Sequence, residues 1–373
     1  MEHVAVGWLV FDITGSAFLV GVAAAARMAP MLFLGVLSGA IADWVERRIF
    51  LFFNALCGVV IAAAMAAILL IGNPPVWAVI FLVAAGGCVF ACTLTTRNAY
   101  TYDIVGAGHA LNGLSLNQMA MQIGGIAGAI ISGALIESVG PGWQYFAVGA
   151  SYIGSASVLL VIGRSAKVAQ PRQDSVLQNL LGYIQFIREN RVILFLMCLT
   201  SITEVFGFTH STLLPVFAKE VLYIGPAGLG YLTAVRQAGG FVGLALLANL
   251  GDYRRKGLLM FILATTFGLG LIAFSVSSNL VYFIILLATV NASAMAVDTL
   301  YKTLIQASVP DEQRGRAMGS WVVSIGVAPV GHVGVGGLAA ALGAQGALLV
   351  NGAVLATISL STAIGFPKIR RLE

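Results

Sequence analysis

Long apolar runs follow one another along nearly the whole chain and are separated by short polar stretches. Because a bilayer core about 30 Å thick is crossed by about 20 apolar residues of helix, each long run predicts a transmembrane helix. The predicted spans are residues 16–42, 49–72, 76–97, 113–136, 143–163, 191–218, 227–250, 257–277, 280–302, 317–342 and 346–366. The opening stretch, MEHVAVGWLVF, is also apolar but covers only about 16 Å as a helix. The pattern predicts an all-α polytopic membrane protein.

Composition supports this class. Of the 373 residues, 59% are hydrophobic and 9% are charged, whereas soluble domains carry roughly 25% charged residues. Soluble enzymes, nucleic-acid binders and secreted disulfide scaffolds are therefore excluded. The net charge of +5 does not indicate a nucleic-acid partner, because the basic residues form short clusters beside the apolar spans. The partner predicted for this surface is the lipid bilayer.

Basic residues also set the predicted orientation. Most of the 20 Lys and Arg residues fall in alternate loops and in the C-terminal tail. They include Arg47, Arg48, Arg97, Arg164, Lys167, Arg172, Arg254, Lys256, Lys302, Arg314, Arg316, Lys368 and Arg370. Positive residues resist translocation, so this set predicts the cytoplasmic side. We expect a multi-pass protein of the cell membrane whose C-terminus is cytoplasmic.

A polar stretch at 164–190 separates two halves, 1–163 and 191–373. Within it, SVLQNLLGYIQFI places apolar residues at helical spacing. This spacing predicts an amphipathic helix on the cytoplasmic membrane surface. An ordinary flexible linker is the alternative.

The two halves contain an internal repeat. A shift of 209 residues places GVAAAARMAP over GYLTAVRQAG, and so aligns Arg27 with Arg236. The same shift aligns Asp43 with Asp252, and Arg47 with Lys256. In a chain of this composition, apolar residues often align by chance. A charge inside the membrane costs several kcal/mol and is retained for a reason, so aligned charges are more informative. The repeat therefore indicates two homologous bundles.

These residues resemble the major facilitator superfamily over essentially the whole chain. GAIADWVERR is similar to that family's loop motif, with Gly39, Asp43, Arg47 and Arg48 matching and Trp44 and Glu46 departing from it. The resemblance implies two parallel six-helix bundles related by a pseudo-twofold axis. Residue 1 would then map to the middle of the first helix. We expect a first helix that is incomplete in this sequence and twelve helices in the native protein.

The resemblance also implies a role for the loop motif. In the family, the motif's acid steadies one conformation, which assigns a latch to Asp43 and Asp252, with Gly39, Arg47, Arg48 and Lys256 around them. A solvated Asp that only reports topology is the alternative. Two further segments, RNAYTYDIVGAGHALN and QASVPDEQRGRAMG, resemble the branch that contains siderophore and multidrug exporters.

In the fifth predicted helix, QIGGIAGAIISGALI resembles the family's antiporter motif through Gly124, Gly128 and Gly133. Ala129 stands where the motif has proline, and Ser132 stands where it has a glycine. The match suggests exchange of a substrate against an ion.

Ionisable residues inside the spans are the candidates for proton coupling or substrate binding: Glu204, Arg236, Arg27 and Asp298. The depths of Glu204 and Arg236 along their helices make a pair across adjacent helices feasible. In such a pair, protonation of Glu204 would release Arg236 to bind an anionic substrate or would permit the rocking motion of the halves. A fixed structural ion pair is the alternative. Arg27 has no evident partner in the sequence, and Asp298 is either a gate or an interfacial acid.

His210 and His332 lack the spacing of metal ligands, so packing roles are predicted and no metal or cofactor is expected. The sequence contains no GxxxxGK[ST] phosphate loop and no HExxH motif. Neither an ATP-driven pump nor an intramembrane enzyme is predicted. We expect a monomeric secondary transporter that expels amphipathic small molecules of the drug or siderophore class in exchange for protons. An importer or uniporter of the same fold, and a non-transporting receptor or scaffold, are the alternatives.

Overall fold

The computed structural model describes residues 1–44, 46–72, 74–106, 109–162, 187–188, 190–251, 253–310 and 313–372, of which 33, 35–44, 110, 111, 114, 315 and 316 are described by their backbone alone. The described residues are mostly helical. The helices are α1 (Glu2–Thr14), α2 (Ala17–Trp44), α3 (Arg47–Ile71), α4 (Val76–Val105), α5 (Ala110–Val139), α6 (Pro141–Val161), α7 (Arg191–Val221), α8 (Gly225–Asn249), α9 (Lys256–Ser275), α10 (Leu280–Ala307), α11 (Arg314–Ile325), α12 (Ala328–Gly365) and α13 (Pro367–Arg370).

Within the described ranges, nine helical segments are long and apolar enough to cross a bilayer. One of them, Ala317–Gly365, has 49 residues and is broken at Gly343, whose φ of 73° lies in the left-handed region that favours glycine. This segment therefore contains both of the last two predicted spans. Large apolar side chains point outward, such as Val161 at 87% and Trp77 at 74% exposure, as expected for a lipid-facing surface. The predicted all-α polytopic class is confirmed.

Several helices extend beyond their predicted spans. α4 continues to Val105, whereas the predicted span ends at residue 97. Arg97 consequently lies inside α4, about two turns before its end, and not in a loop. The difference arises because hydropathy marks the lipid-embedded part of a helix, while backbone hydrogen bonding continues into water. The amphipathic helix predicted at 164–190 falls almost entirely outside the described residues.

The chain divides into two compact units. The first unit comprises Met1–Arg172 and Ile224–Ala234, and the second comprises Gln173–Tyr223 and Val235–Glu373. The start of α8 thus belongs to the first unit and the rest of α8 to the second. The separate linker domain at 164–190 stays a prediction.

In the first unit, α2 packs on α4, α3 packs on α6 and α4, and α1 packs on α2 and α5. Small residues permit these approaches. A Cβ at Gly87 in α4 would overlap the carbonyl of Arg27 in α2, and one at Gly58 in α3 would lie 2.7 Å from the Tyr152 ring of α6. The α2–α4 contact therefore brings the backbone at Arg27 directly against α4.

In the second unit, α9 packs on α12 and α10. A Cβ at Gly268 would lie 2.6 Å from the Ala356 nitrogen, so the backbones of α9 and α12 nearly touch. Asn279 caps α10 by accepting a hydrogen bond from the Val281 nitrogen at 2.9 Å. These contacts fix α10, which carries the acid of the site described next.

Candidate transport site

Glu204 lies where α7 departs from regular α-helix geometry. Arg191–Ile202 is α-helical, Thr203–Gly207 forms a wider π-helical turn, and Phe208–Leu213 forms a tighter 3₁₀ turn. Such π turns occur often at functional positions. The Thr203 and Tyr301 hydroxyls are 2.9 Å apart, which ties the π turn to α10. The turn that carries Glu204 is therefore anchored to α10 through Thr203.

Asp298 on α10 is a buried, fully engaged acid. Its Oδ2 is 2.7 Å from Lys302 Nζ, and its Oδ1 accepts a hydrogen bond from Trp321 Nε1 at 2.8 Å. The Lys302 ammonium also lies 4.1 Å from the centre of the Trp321 ring. Asp298 is therefore held by partners on two helices, and the choice between a gate and an interfacial acid stays a prediction.

We call Glu204, Asp298, Lys302 and Trp321 the Glu204 cluster. Asp298 and Lys302 are the charged residues that act electrostatically on Glu204. Lys302, expected in a cytoplasmic loop, instead lies inside α10 and pairs with Asp298. The sequence signal for this pair is their spacing of four residues, which places both side chains on one helix face. The cluster holds two acids and one base inside spanning helices.

The expected pairing of Glu204 with Arg236 is not formed in the described part of the chain. Arg236 acts electrostatically on His210, and its Nε atom is buried without a hydrogen-bond partner among the described residues. The charged residues that act electrostatically on Glu204 are Asp298 and Lys302 of α10, and Arg236 is not among them. Arg236 is thus a separate buried cation of the second unit.

Both predicted packing histidines are hydrogen-bonded within the second unit. His210 Nδ1 is 2.8 Å from the Gly207 carbonyl oxygen, and Asn291 Nδ2 is 3.3 Å from His210 Nε2. Because an amide nitrogen only donates, His210 accepts at Nε2 and donates from Nδ1. His332 Nδ1 lies 2.6 Å from the Thr212 hydroxyl. Among the residues that the structure describes, no group of three or more His, Cys, Asp or Glu side chains is placed to hold a metal.

Arg27, for which the sequence suggested no partner, has one in the first unit. Arg27 Nη2 lies 3.4 Å from Glu2 Oε2, and the guanidinium stacks 5.5 Å from the centre of the Phe90 ring. The Tyr152 hydroxyl donates to Glu2 Oε1 at 3.3 Å. Glu2 is thus the partner of Arg27 that the sequence pattern did not reveal. The available signal was Glu2 itself, an acid at the start of an apolar segment.

The arginines of the loop motif are both engaged in the first unit. Arg47 Nη1 donates to both carboxylate oxygens of Asp103 at 2.8 Å. Arg48 donates from Nε to the Leu159 carbonyl at 2.6 Å and from Nη2 to the Leu160 carbonyl at 3.0 Å. Arg47 thus joins the loop motif to the RNAYTYDIV segment at the end of α4.

The acids of the expected latch lie beyond what the structure describes. Asp252 is outside the described residues. Gly39 and Asp43 lie in the part of α2 that is described by its backbone alone. Lys256 begins α9, and the Gly257 nitrogen next to it donates to the Leu372 carbonyl at 3.0 Å. The latch assigned to these residues stays a prediction.

The three glycines of the α5 motif have different surroundings. Gly124 has open space beside it, whereas a Cβ at Gly128 would lie 3.2 Å from the Met1 nitrogen. A Cβ at Gly133 would lie 2.6 Å from the Pro226 carbonyl oxygen and 3.0 Å from the Gly230 Cα. Ser132, in place of a motif glycine, is buried and accepts a hydrogen bond from Gln144 at 3.0 Å. Gly133 is therefore the motif position at which α5 and α8 pack backbone to backbone.

Characterised relatives match nearly the whole chain. It is 25% identical to the multidrug efflux pump Tap of Mycolicibacterium fortuitum, over 99% of this chain and 92% of that protein. It is 23% identical to the enterobactin exporter EntS of Salmonella typhimurium, over 92% and 82% of the two chains. It is 21% identical to the staphyloferrin A transporter of Staphylococcus aureus, over 89% and 83%.

Solved structures show the same fold. A point mutant of the nucleoside transporter NupG superposes with a TM-score of 0.81 at 14% identity, covering 97% of this chain and 94% of the other. The xylose transporter XylE from E. coli superposes with a TM-score of 0.71 at 14% identity, covering 97% and 92%. Residues 1–372 match the family described as transmembrane secretion effector. The chain therefore belongs to the major facilitator superfamily, in its transmembrane secretion effector family.

Proposed function

We propose that this membrane transporter exports amphipathic small molecules of the drug or siderophore class in exchange for protons. The direction and substrate class are supported by the relatives, among which are a multidrug efflux pump and an enterobactin exporter. The family and these relatives are transporters and not enzymes. Proton exchange is supported by the Glu204 cluster, which carries the proposal.

The charge of the Glu204 cluster depends on one proton. With both acids ionised, two carboxylates face one ammonium, which leaves a net charge of −1 inside spanning helices. An unbalanced charge there costs several kcal/mol. One bound proton makes the cluster neutral. Proton binding therefore changes which conformations of the helices are favourable, which is what coupling requires.

Glu204 is the acid that takes this proton in our proposal. Asp298 already has Lys302 and Trp321 as partners at 2.7 and 2.8 Å. The Glu204 carboxylate has no hydrogen bond or ion pair with another described residue, although Asp298 and Lys302 are close enough to act on it. Proton loss from Glu204 leaves Lys302 as the shared counter-ion of both acids.

We further propose that the two homologous halves alternate access to a site near the membrane midplane, as the family's repeats suggest. In this mechanism Asp43 and Asp252 act as the cytoplasmic latch, and Arg47 supports the first of them from its contact with Asp103. The C-terminus is proposed to be cytoplasmic because the tail carries Lys368, Arg370 and Arg371. The working unit is proposed to be a monomer.

The test is a flux assay in proteoliposomes that carry an imposed pH gradient and a fluorescent amphipathic cation as substrate. Glu204→Gln should abolish pH-driven flux but keep counterflow, in which labelled and unlabelled substrate exchange without a gradient. Glu220→Gln is the matched control, because Glu220 is an exposed acid on the same helix. pH-driven flux that is unchanged in Glu204→Gln contradicts the role of Glu204. Wild-type flux that does not depend on the pH gradient indicates a uniporter. The absence of any flux favours a non-transporting receptor.

A further inference from the structure

The end of the chain folds back onto the second unit. Pro367–Arg370 forms the short helix α13, and the Leu372 carbonyl accepts a hydrogen bond from the Gly257 nitrogen at 3.0 Å. Ile369 is 6% exposed and belongs to the same core cluster as Ile193 of α7. The tail is therefore packed on the bundle and lies beside the start of α9.

Two further contacts hold the tail in this position. The Phe366 ring lies 4.6 Å, centre to centre, from the Phe195 ring of α7. A Cβ at Gly257 would overlap the Ile369 carbonyl, so the backbones of the tail and of α9 nearly touch. The tail is thus fixed to α7 at its beginning and to α9 at its end, next to the loop between α8 and α9.

This packing brings two basic segments of the sequence together. Residues 251–256 and 366–373 contain six Lys or Arg residues and two acids, Asp252 and Glu373, both of which lie outside the described residues. Five of the basic side chains form no hydrogen bond or ion pair with any residue within the described ranges, and we call them the tail patch: Arg254, Arg255, Lys368, Arg370 and Arg371. The tail patch therefore carries an excess of positive charge.

The tail patch lies where membrane-spanning helices end. α9 begins at Lys256, and the spanning segment that contains α12 ends at Gly365. Exposed apolar and aromatic side chains adjoin the patch in sequence, namely Leu250, Tyr253 and Phe366. Aromatic residues are enriched at the boundary between membrane and water, where one side of the ring meets acyl chains and the other meets head groups. Positive charge and apolar surface are thus presented side by side at head-group level.

We propose that the tail patch binds the phosphate head group of an anionic phospholipid, whose acyl chains lie against the adjoining apolar side chains. Four of the five patch residues are arginines, and a guanidinium can donate two N–H groups to one phosphate. A soluble phosphate compound matches the charge but leaves the apolar surface without a contact. A neutral phospholipid covers the apolar surface but lacks the net negative charge. An anionic phospholipid is the occupant that fits both, and the proposal does not depend on proton exchange.

The test measures which lipid stays bound to the full chain. The protein is reconstituted in membranes that contain equal amounts of dioleoylphosphatidylglycerol and dioleoylphosphatidylcholine, extracted with detergent and analysed by native mass spectrometry. Wild type should retain phosphatidylglycerol in preference to phosphatidylcholine, and the preference should fall as salt is raised, because salt screens exposed charges.

Arg371→Gln should lower this preference roughly fivefold, the contribution of one basic residue at an anionic membrane surface. Lys219→Gln is the matched control, because it also removes one positive charge but at the other end of α7 from Phe195. The control should keep the wild-type preference. Equal losses in the two variants, or equal retention of the two lipids by wild type, overturn the proposal.

Ile369→Asn tests whether the packed tail assembles the site. It keeps every charge of the tail patch but places an amide in the core, which should release the tail and reduce the preference for phosphatidylglycerol. An unchanged preference in this variant overturns the proposal. Should the variant fail to fold, Arg254→Gln/Arg255→Gln provides the second measurement, because both positions are exposed and their replacement should leave the Tm unchanged.

The double variant Arg254→Gln/Arg255→Gln should lose more of the preference than Arg371→Gln, and retention of the full preference contradicts the proposal. Displacement of the bound lipid by millimolar inorganic phosphate assigns the patch to a soluble anion and also overturns it. None of these measurements uses transport, so their failure is distinguishable from failure of the proposed function.

Discussion

The indole nitrogen of Trp321 donates to Asp298 at 2.8 Å, and through this bond α11 holds the acid that α10 already pairs with Lys302. An acid held on both carboxylate oxygens has little freedom to move. Asp298 is therefore suited to position Lys302, which acts electrostatically on Glu204, the acid that we propose exchanges a proton.

Trp321→Phe keeps an aromatic ring under Lys302 but removes the donor to Asp298. We expect a loss of about 1.5–3 kcal/mol, the range for hydrogen bonds to charged groups, seen as a lower Tm in detergent. Trp143→Phe is the control, because the Trp143 side chain is exposed. An unchanged Tm in Trp321→Phe would contradict the proposed role of the indole bond.

The Asp298–Lys302 pair can be measured by a double-mutant cycle. Lys302→Gln leaves two acids together without a base and should destabilise the protein more than Asp298→Asn/Lys302→Gln, in which both partners are neutral. A coupling energy of about 0.5–3 kcal/mol is expected for residues in one network. Thermal unfolding of the two single variants, the double variant and wild type gives this energy. Additive single-variant effects would show that the pair contributes no net stability.

Gly133 and Gly124 offer a matched comparison on α5. Gly133→Ala places a methyl group 2.6 Å from the Pro226 carbonyl oxygen, so overpacking of about 1–3 kcal/mol is expected. Gly124→Ala adds the same group to open space and should change stability by less than about 0.5 kcal/mol. Tm and transport rate should both fall for the first variant and not for the second. Equal effects of the two substitutions would be inconsistent with close α5–α8 packing.

The Arg47–Asp103 pair links the loop motif to α4, and both side chains are largely buried. Asp103→Asn should lower stability by about 1.5–3 kcal/mol because the guanidinium loses a charged acceptor. The exchange Arg47→Asp/Asp103→Arg should recover part of this loss, as measured by thermal unfolding and by flux. If the exchanged pair is worse than either single variant, the contact depends on the surrounding geometry and not on the charges.

Hydropathy predicts the order of the membrane helices because each apolar run needs lipid or protein around it. It does not predict where α4 ends, since the RNAYTYDIV segment is polar and yet remains helical to Val105. Hydropathy ends the tenth span at Lys302, and the assignment of basic residues to loops includes Lys302, although α10 continues to Ala307 and Lys302 is held by Asp298. Helix ends and ion pairs depend on tertiary contacts, and the spacing of apolar residues along the chain carries no information about those contacts.

The candidate site was only partly predictable for the same reason. Intramembrane charges mark Glu204, Asp298 and Arg27 directly, since each is costly in lipid. Their partners are not marked. Glu2 reaches Arg27 from another helix, and Glu204 is influenced electrostatically by Asp298 and Lys302 of α10 and not by Arg236. Depth along the membrane gives one coordinate of a side chain, whereas a pair also requires the direction in which each helix faces.

The π turn at Thr203–Gly207 contributes to that direction in α7, together with the 3₁₀ turn at Phe208–Leu213 and a second π turn at Phe217–Val221. A π turn accommodates about one residue more than an α turn, and one residue corresponds to about 100° of helix rotation. Deletion of a single residue from this turn would restore α geometry but would swing His210 and Thr212 away from Asn291 and His332. The extra residue thus changes the angular phase of the C-terminal half of α7, and homologues aligned without a gap at this position need not present the same helix face.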